Sequence, residues 1–305
     1  MIYITTIAFN NALFILLQIK SFALYITDES YEFLVFDDSS DENHTINIKN
    51  ICIENNVKYI RVDQYVHINR NLVFKNNLTE IREEMMKNNK NIDKYNFPGL
   101  NNTVGSRHAD SVQFIFNYFN ENIKDCSTLF NIDSDMFIIN KLNIKDLINN
   151  YDIVCSLQGF FSHIWPNIFI FNFEKCENLD KICWDGCTHY DLNNKSYASD
   201  AGGETYEYLK KYHNKNDKLK HIEISHLSSD EELLNLKNYI DDETNNLLNK
   251  IYELYDKKCL NKEVLLKYNE KFTILHLRGY TWTDNYINIK DELDKLLTNR
   301  FYENN

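Results

Sequence analysis

The sequence predicts an α/β fold, a doubly wound and mostly parallel sheet flanked by helices with a Rossmann-like nucleotide-binding half. Three observations carry that expectation. β-rich runs and helix-period segments alternate from the first residues onward. The opening pattern is strand, helix, strand, helix, strand, which in a parallel sheet requires crossover helices. Three of the runs end in polar or acidic residues, as strands do at the ligand edge of an open α/β sheet.

The elements follow in order. Ile2–Ile7 is β-rich and closes in Ala8-Phe9-Asn10. Residues 11–25 place Leu13, Leu16, Leu17, Phe22 and Leu24 at near-helical spacing. This N-terminal stretch is apolar enough to test for a membrane span. Asn10, Asn11, Gln18 and Lys20 interrupt it, and no basic n-region with a small-residue cleavage site is present. The expectation is therefore a strand and a helix. Tyr31–Phe36 (YEFLVF) is a second strand ending in Asp37-Asp38, residues 43–55 suit a helix, and Val57–Val62 (VKYIRV) is a third strand. Residues 63–104 break the rhythm. They are polar, rich in Asn and Lys, carry Pro98-Gly99, and are expected to form an insertion or lid with a helix at 78–90. Gly105–Asn122 is helical in pattern, with Val112, Ile115, Phe116 and Phe119 on one side. Ser127–Ile132 is a strand that delivers Asp133-Ser134-Asp135. Asp152–Leu157 and Ile168–Phe171 read as strands, and Asp200–Tyr212 as a helix with Gly202-Gly203 near its start. Residues 229–270 are charged and helical in pattern, Phe272–Leu277 (FTILHL) is a last strand, and 284–298 a last amphipathic helix. There is no repeat and no clear linker, so residues 1–305 are expected to form one domain.

Composition narrows the function. The chain is 43% hydrophobic, enough for a sizeable core, and its net charge is −12. Such a chain repels nucleic acid, and no Lys/Arg run long enough to form a basic patch occurs. A phosphate ligand would need a cation to screen these carboxylates. The 7 cysteines, scattered and odd in number, do not form a disulfide framework. A reducing, cytoplasmic location is the expectation, with no transmembrane segment.

Asp133-Ser134-Asp135 is the sharpest feature. Crowding carboxylates at a strand end is unfavourable without a cation, and Mg²⁺ or Mn²⁺ takes carboxylates together with substrate phosphates. Asp-Ser-Asp is also good turn chemistry, so the motif alone leaves both readings open. His276, in ILHLRGYTW, supplies an imidazole after the last strand, a suitable third ligand for Mn²⁺. CENLDKICWDGCTH gathers Cys176, Cys183, Cys187 and His189, but without the paired short spacings of a zinc module.

The order of these pieces resembles the nucleotide-sugar glycosyltransferases of the GT-A fold. The carrying segments are the first strand and helix, the strand ending in Asp37-Asp38, LFNIDSDMFIIN, WPNIFIFN, DAGGETYEYL and HLRGYTW, spanning roughly residues 2 to 285. The resemblance implies a nucleotide-sugar-binding half at 1–135 and an acceptor-side half at 136–305. It implies Asp135 and His276 as metal ligands, with Asp133 on metal or ribose. It implies base or ribose contacts by Asp37 or Asp38, with Asn10 at the same edge. Arg107 and His108 open the helix before the D-x-D strand and are candidates for phosphate or ribose, Arg107 by a charge-assisted fork or else in a surface salt bridge. On the acceptor side, Trp165 is a sugar-stacking or core aromatic. Gly202 and Gly203 permit close backbone approach, and Glu204 follows them. Asp200 is the candidate base for the attacking hydroxyl, or the N-cap of the following helix. Tyr280-Thr281 stands where a retaining group of these enzymes has Lys-Pro, so the sequence leaves the anomeric outcome open.

The expected function is metal-dependent transfer of a sugar from a nucleoside-diphosphate sugar to a hydroxyl of a glycan, protein or small molecule. A nucleotidyltransferase would need a glycine-rich basic loop after the first strand, and AFNNALF has neither Gly nor a basic residue. A non-catalytic nucleotide-sugar-binding protein is the other alternative.

Overall fold

The computed structural model describes residues 1–28, 30–67, 104–159, 162–186, 188–190, 196–198, 201–213, 218–226, 242, 245–246, 263–268, 271–277 and 286–303. The first strand, β1 (Ile2–Ala8), is buried along its whole length and lies in the middle of a seven-stranded sheet. It is followed by α1 (Ala12–Tyr25), which begins where the Asn11 side chain accepts from Phe14 N. β2 (Glu32–Asp37) pairs parallel to β1, and α2 (Glu42–Glu54) is capped by the Asp41 carboxylate. β3 (Lys58–Arg61) closes that edge. α3 (Val104–Asn122) then leads to β4 (Thr128–Ile132), parallel to β1 on its other side.

Beyond β4 the chain leaves this sheet. β5 (Met136–Ile138) is followed by the short α4 (Ile144–Ile148), then by β6 (Ile153–Gln158) and β7 (His163–Asn172). β8 (Thr188–Tyr190) and β9 (Ser196–Ala198) form a hairpin, α5 (Thr205–Tyr212) follows, and β10 (Leu219–His221) joins the main sheet. β11 (Glu223–His226), β12 (Glu263–Tyr268), β13 (Lys271–Leu277) and α6 (Tyr286–Glu303) complete the described elements.

The main sheet has the order β10-β6-β7-β4-β1-β2-β3. All its pairings are parallel except the two made by β7, so the sheet is mostly parallel, as expected. Both faces are covered. Phe14, Leu17, Phe22, Val35 and Phe130 pack on one side, and Tyr3, Phe36, Phe116, Phe169 and Trp184 on the other. Burial of both faces explains why these strands read as continuous apolar runs.

The structure corrects several expectations. A second, antiparallel sheet of order β11-β12-β13-β5 stands beside the first, and the last strand belongs to it. Within the segment 229–270, read as helical, residues 263–268 are the strand β12, while Asp242, Asn245 and Asn246 are helical. EVLLKY is too short for periodicity to separate strand from helix. β7 is longer than its apolar run suggested, because Pro166 falls where the β6 register slips between Cys155 and Leu157 and no ladder bond is demanded of it. α5 starts at Thr205, not near residue 200, so Asp200 is not its N-cap. Of the insertion 63–104, only 63–67 and residue 104 are described. The helix at 78–90 lies outside the described residues. Among the described residues no helix is long and apolar enough to cross a membrane.

Candidate metal centre

The Asp133–Asp135 turn joins the two sheets. β4 ends one residue before Asp133, and β5 begins one residue after Asp135. The turn closes when Met136 N donates to Asp133 O at 3.0 Å, while Asp133 N donates to Asn167 O at 2.8 Å. Two side-chain amides fix it further. Gln18 of α1 donates to Asp133 O at 2.7 Å and to Met136 O at 3.0 Å, and Asn167 of β7 donates to Asp133 Oδ2 at 2.6 Å. Ser134 N donates to Asp133 Oδ1 at 2.9 Å.

His276 reaches the same place through sheet register. In the β13·β5 ladder His276 faces Met136, and Leu277 N donates to Asp135 O at 2.9 Å. His276 is buried, its Nε2 is 3.1 Å from Asp135 Oδ1, and its ring centroid is 5.4 Å from that of Trp165. Asp133, Asp135 and His276 each offer a ligand atom, all within 4.8 Å of one another.

The donor set fits a hard divalent cation. Asp135 Oδ1 is buried and makes no hydrogen bond among the described residues, although His276 Nε2 is 3.1 Å away. The 3.1 Å between Asp135 Oδ1 and His276 Nε2 matches the spacing of about 3.0 Å between adjacent ligands about 2.1 Å from an octahedral ion. His276 Nδ1 is likewise buried without a partner among the described residues. Burial, and then the charge of Asp135, push the Asp133 carboxyl above its ordinary range, with His108 and His276 opposing. A cation would relieve that repulsion.

The neighbouring residues form a second polar cluster. Asp38 is buried. Its Oδ2 accepts from Arg107 Nε at 2.8 Å and Ser111 Oγ at 3.0 Å. Its Oδ1 accepts from Arg107 Nη2 at 2.9 Å and Gln64 Nε2 at 2.9 Å, and lies 2.8 Å from His67 Nε2. His67 Nδ1 lies 2.9 Å from Asp110 Oδ2. With a carboxylate on each nitrogen, the ring is an imidazolium. Burial opposes that charge, yet hydrogen bonds to Asp110 and Asp38 push the His67 pKa up to about 9. Burial likewise acts to raise Asp38, but His67, Gln64 and Arg107 hold it below the usual carboxylate range.

Asp37 accepts from Ser39 N and Tyr59 Oη and pairs with Arg61. Asn10, at φ 52°, bonds to Ser39 and Ser40 and so ties the ends of β1 and β2 together. Arg107 is thus forked on Asp38, its guanidinium 5.2 Å from the Phe9 ring centroid, and is not in a loose surface salt bridge. His108 Nε2 is buried and has no partner among the described residues.

On the expected acceptor side, Trp165 is buried in the core beside His276. Gly202 sits against β7, where its carbonyl accepts from Thr205 Oγ1, which in turn accepts from Ile164 N at 2.9 Å. Gly203 is buried beside it, and Glu204 N donates to Asp185 O at 2.8 Å. Asp200, with Arg278, Gly279 and Trp282, lies outside the described residues. Of the cysteine cluster, Cys176 and Cys183 form no disulfide among the described residues, Cys176 donates to Asp152 O, and Cys187 is outside the described residues.

The structure therefore brings Asp133, Asp135 and His276 together and sets Asn10, Asp37, Asp38 and Arg107 in adjoining polar contacts. Sequence reasoning missed Gln18, Asn167, His67 and Asp110. Gln18 did carry a signal, as an amide inside the apolar run FILLQIK.

Among solved structures, the chain aligns with the galactosyltransferase LgtC. LgtC in complex with donor and acceptor sugar analogs aligns at a TM-score of 0.43 and 10% identity, over 97% of this chain and 95% of that chain. An active-site mutant of LgtC aligns at 0.34 and 13% identity, over 57% of this chain and 58% of that one. The chain thus spans little more than half the length of that mutant structure. No family model matches the sequence, and no curated protein sequence matches it.

Proposed function

We propose that this chain is a metal-dependent glycosyltransferase. It takes a nucleoside-diphosphate sugar as donor and a hydroxyl of a glycan, protein or small molecule as acceptor. The observation that carries the reading is the convergence of Asp133, Asp135 and His276 at the end of β4, with Asp135 Oδ1 buried and without a hydrogen bond among the described residues. Mn²⁺ or Mg²⁺ held by these three would act as a Lewis acid toward a diphosphate. Arg107, opening α3, brings positive charge to the donor's phosphates or ribose, the electrostatic stabilisation of greatest value when a diphosphate departs, and His108 beside it contacts the same groups. Asn10, Asp37 and Asp38 shape the nucleotide edge. Trp165, Gly202, Gly203 and Glu204 belong to the acceptor side, with Asp200 taking the acceptor proton. Five described cysteines form no disulfide among the described residues, and the reading places the enzyme in the reducing cytoplasm.

The test is Mn²⁺-dependent hydrolysis across a panel of nucleotide sugars, alongside donor binding by titration calorimetry. The wild type should turn over at least one donor, and Asp135→Asn should lose metal-dependent donor binding. A folded protein that neither binds nor cleaves any donor would refute the enzyme, and an Asp135→Asn variant that binds donor unchanged would refute the metal site.

A further inference from the structure

We infer that Gln18 is a positioning residue for the metal centre, acting through the backbone of the turn that carries both aspartates. The inference rests on the metal site proposed above. Gln18 belongs to α1, far from the ligands in sequence, and is buried. Its single amide nitrogen donates to both ends of the turn, Asp133 O at 2.7 Å and Met136 O at 3.0 Å.

The orientation of the amide is fixed by what it faces. Turned over, Oε1 would meet two carbonyl oxygens, so Nε2 must point at them. Oε1 is then left buried without a partner among the described residues. A buried amide with one unmet group is costly. A leucine of similar size would fill the space without that cost, but would abandon the two carbonyls. The arrangement is accounted for if the donors hold the turn.

A second contact on the same helix shows what α1 does here. Ser21 Oγ donates to Ile138 O at 2.7 Å and accepts from Ile138 N at 2.8 Å. Two α1 side chains thus stand in for a strand on the free edge of β5, whose other edge pairs with β13. Asp135 precedes β5, and His276 faces Met136 across that ladder. Holding Met136 O therefore fixes the spacing between Asp135 and His276. Asn167 grips Asp133 from the β7 side. Gln18 bonds to both ends of the turn.

The test uses the full chain and Mn²⁺ alone, with free Mn²⁺ measured by electron paramagnetic resonance and folding by urea titration. Gln18→Leu keeps the volume and removes the donors. It should weaken Mn²⁺ affinity about 10-fold or more, the usual effect of losing a residue that orients metal ligands. Ile48→Ala opens a hole in the core at α2 and should lower the urea midpoint while leaving Mn²⁺ affinity within about twofold. Should Gln18→Leu fail to fold, Gln18→Asn takes its place, because its shorter amide cannot reach both carbonyls. Wild-type affinity in the Gln18 variant overturns the inference and leaves the metal site standing. So does an equal loss in Ile48→Ala. A wild type that binds no Mn²⁺ overturns the metal site itself, and the positioning role with it.

Discussion

At Gly202 the backbone leaves one residue type available. Its φ is +89°, and a Cβ built there would lie 2.2 Å from the Ile164 carbonyl oxygen. Both the conformation and the contact exclude a side chain. Gly202→Ala should therefore destabilise the protein by about 2–4 kcal/mol, combining backbone strain with a displaced strand β7. Urea unfolding checks this, and a loss below about 0.5 kcal/mol, typical of ordinary surface changes, would contradict the geometry. The sequence reading assigned Gly202 to the acceptor site from the freedom of its backbone. The glycine was legible, but its partner was not, because the Ile164 carbonyl comes close only once β7 is formed. His276 shows the same limit from the other side. Its place at the end of FTILHL was legible, while its neighbours Met136 and Asp135 follow from β13·β5 register.

At the scale of elements, the ends of β2 and β3 are tied to α3 by the cluster of Asp38, His67, Asp110 and Arg107. Two carboxylates face two cations there, with Ser111 and Gln64 filling the remaining bonds. His67 gives the cluster a pH dependence whose sign is fixed. Its pKa rises from an ordinary 6.5 to about 9 on folding, so folding stabilises its protonated form. That contribution is complete below pH 6.5 and disappears as pH rises through 9. The urea midpoint of the wild type should fall between those limits, and His67→Gln should flatten the fall. A wild-type midpoint flat over that range would show that His67 is neutral in the fold. None of this cluster was legible as a unit, since it joins side chains tens of residues apart. The βαβαβ opening was legible, because parallel strands buried on both faces announce themselves as apolar runs. The second sheet was not. β5 is three residues long, and β12 lies in a charged segment where short runs carry no period.

Across the whole molecule, the candidate metal centre sits at the seam between the two sheets. Asp133 directly follows a strand of the main sheet, whereas Asp135 and His276 are set by the antiparallel one. A cation bound by all three would join the sheets, in a chain whose net charge of −12 already favours a cation at two crowded carboxylates. Binding to the folded state alone stabilises it by about 2.7 kcal/mol at a hundredfold excess of Mn²⁺ over its dissociation constant. The melting temperature should therefore rise by several degrees with Mn²⁺ and return with EDTA. Hydrogen exchange locates the effect. Leu277 N and Ile139 N, bonding to Asp135 O and Thr273 O, close the two ends of the β13·β5 ladder that carries Asp135 and His276 to the site. Their amides should exchange up to about 100-fold more slowly with Mn²⁺. Amides that open locally along the edge strand β3, at the far side of the main sheet, should keep their rates. Equal protection at both places would mean that the ion acts on global unfolding without bridging the seam. Protection confined to β3 would place the ion elsewhere.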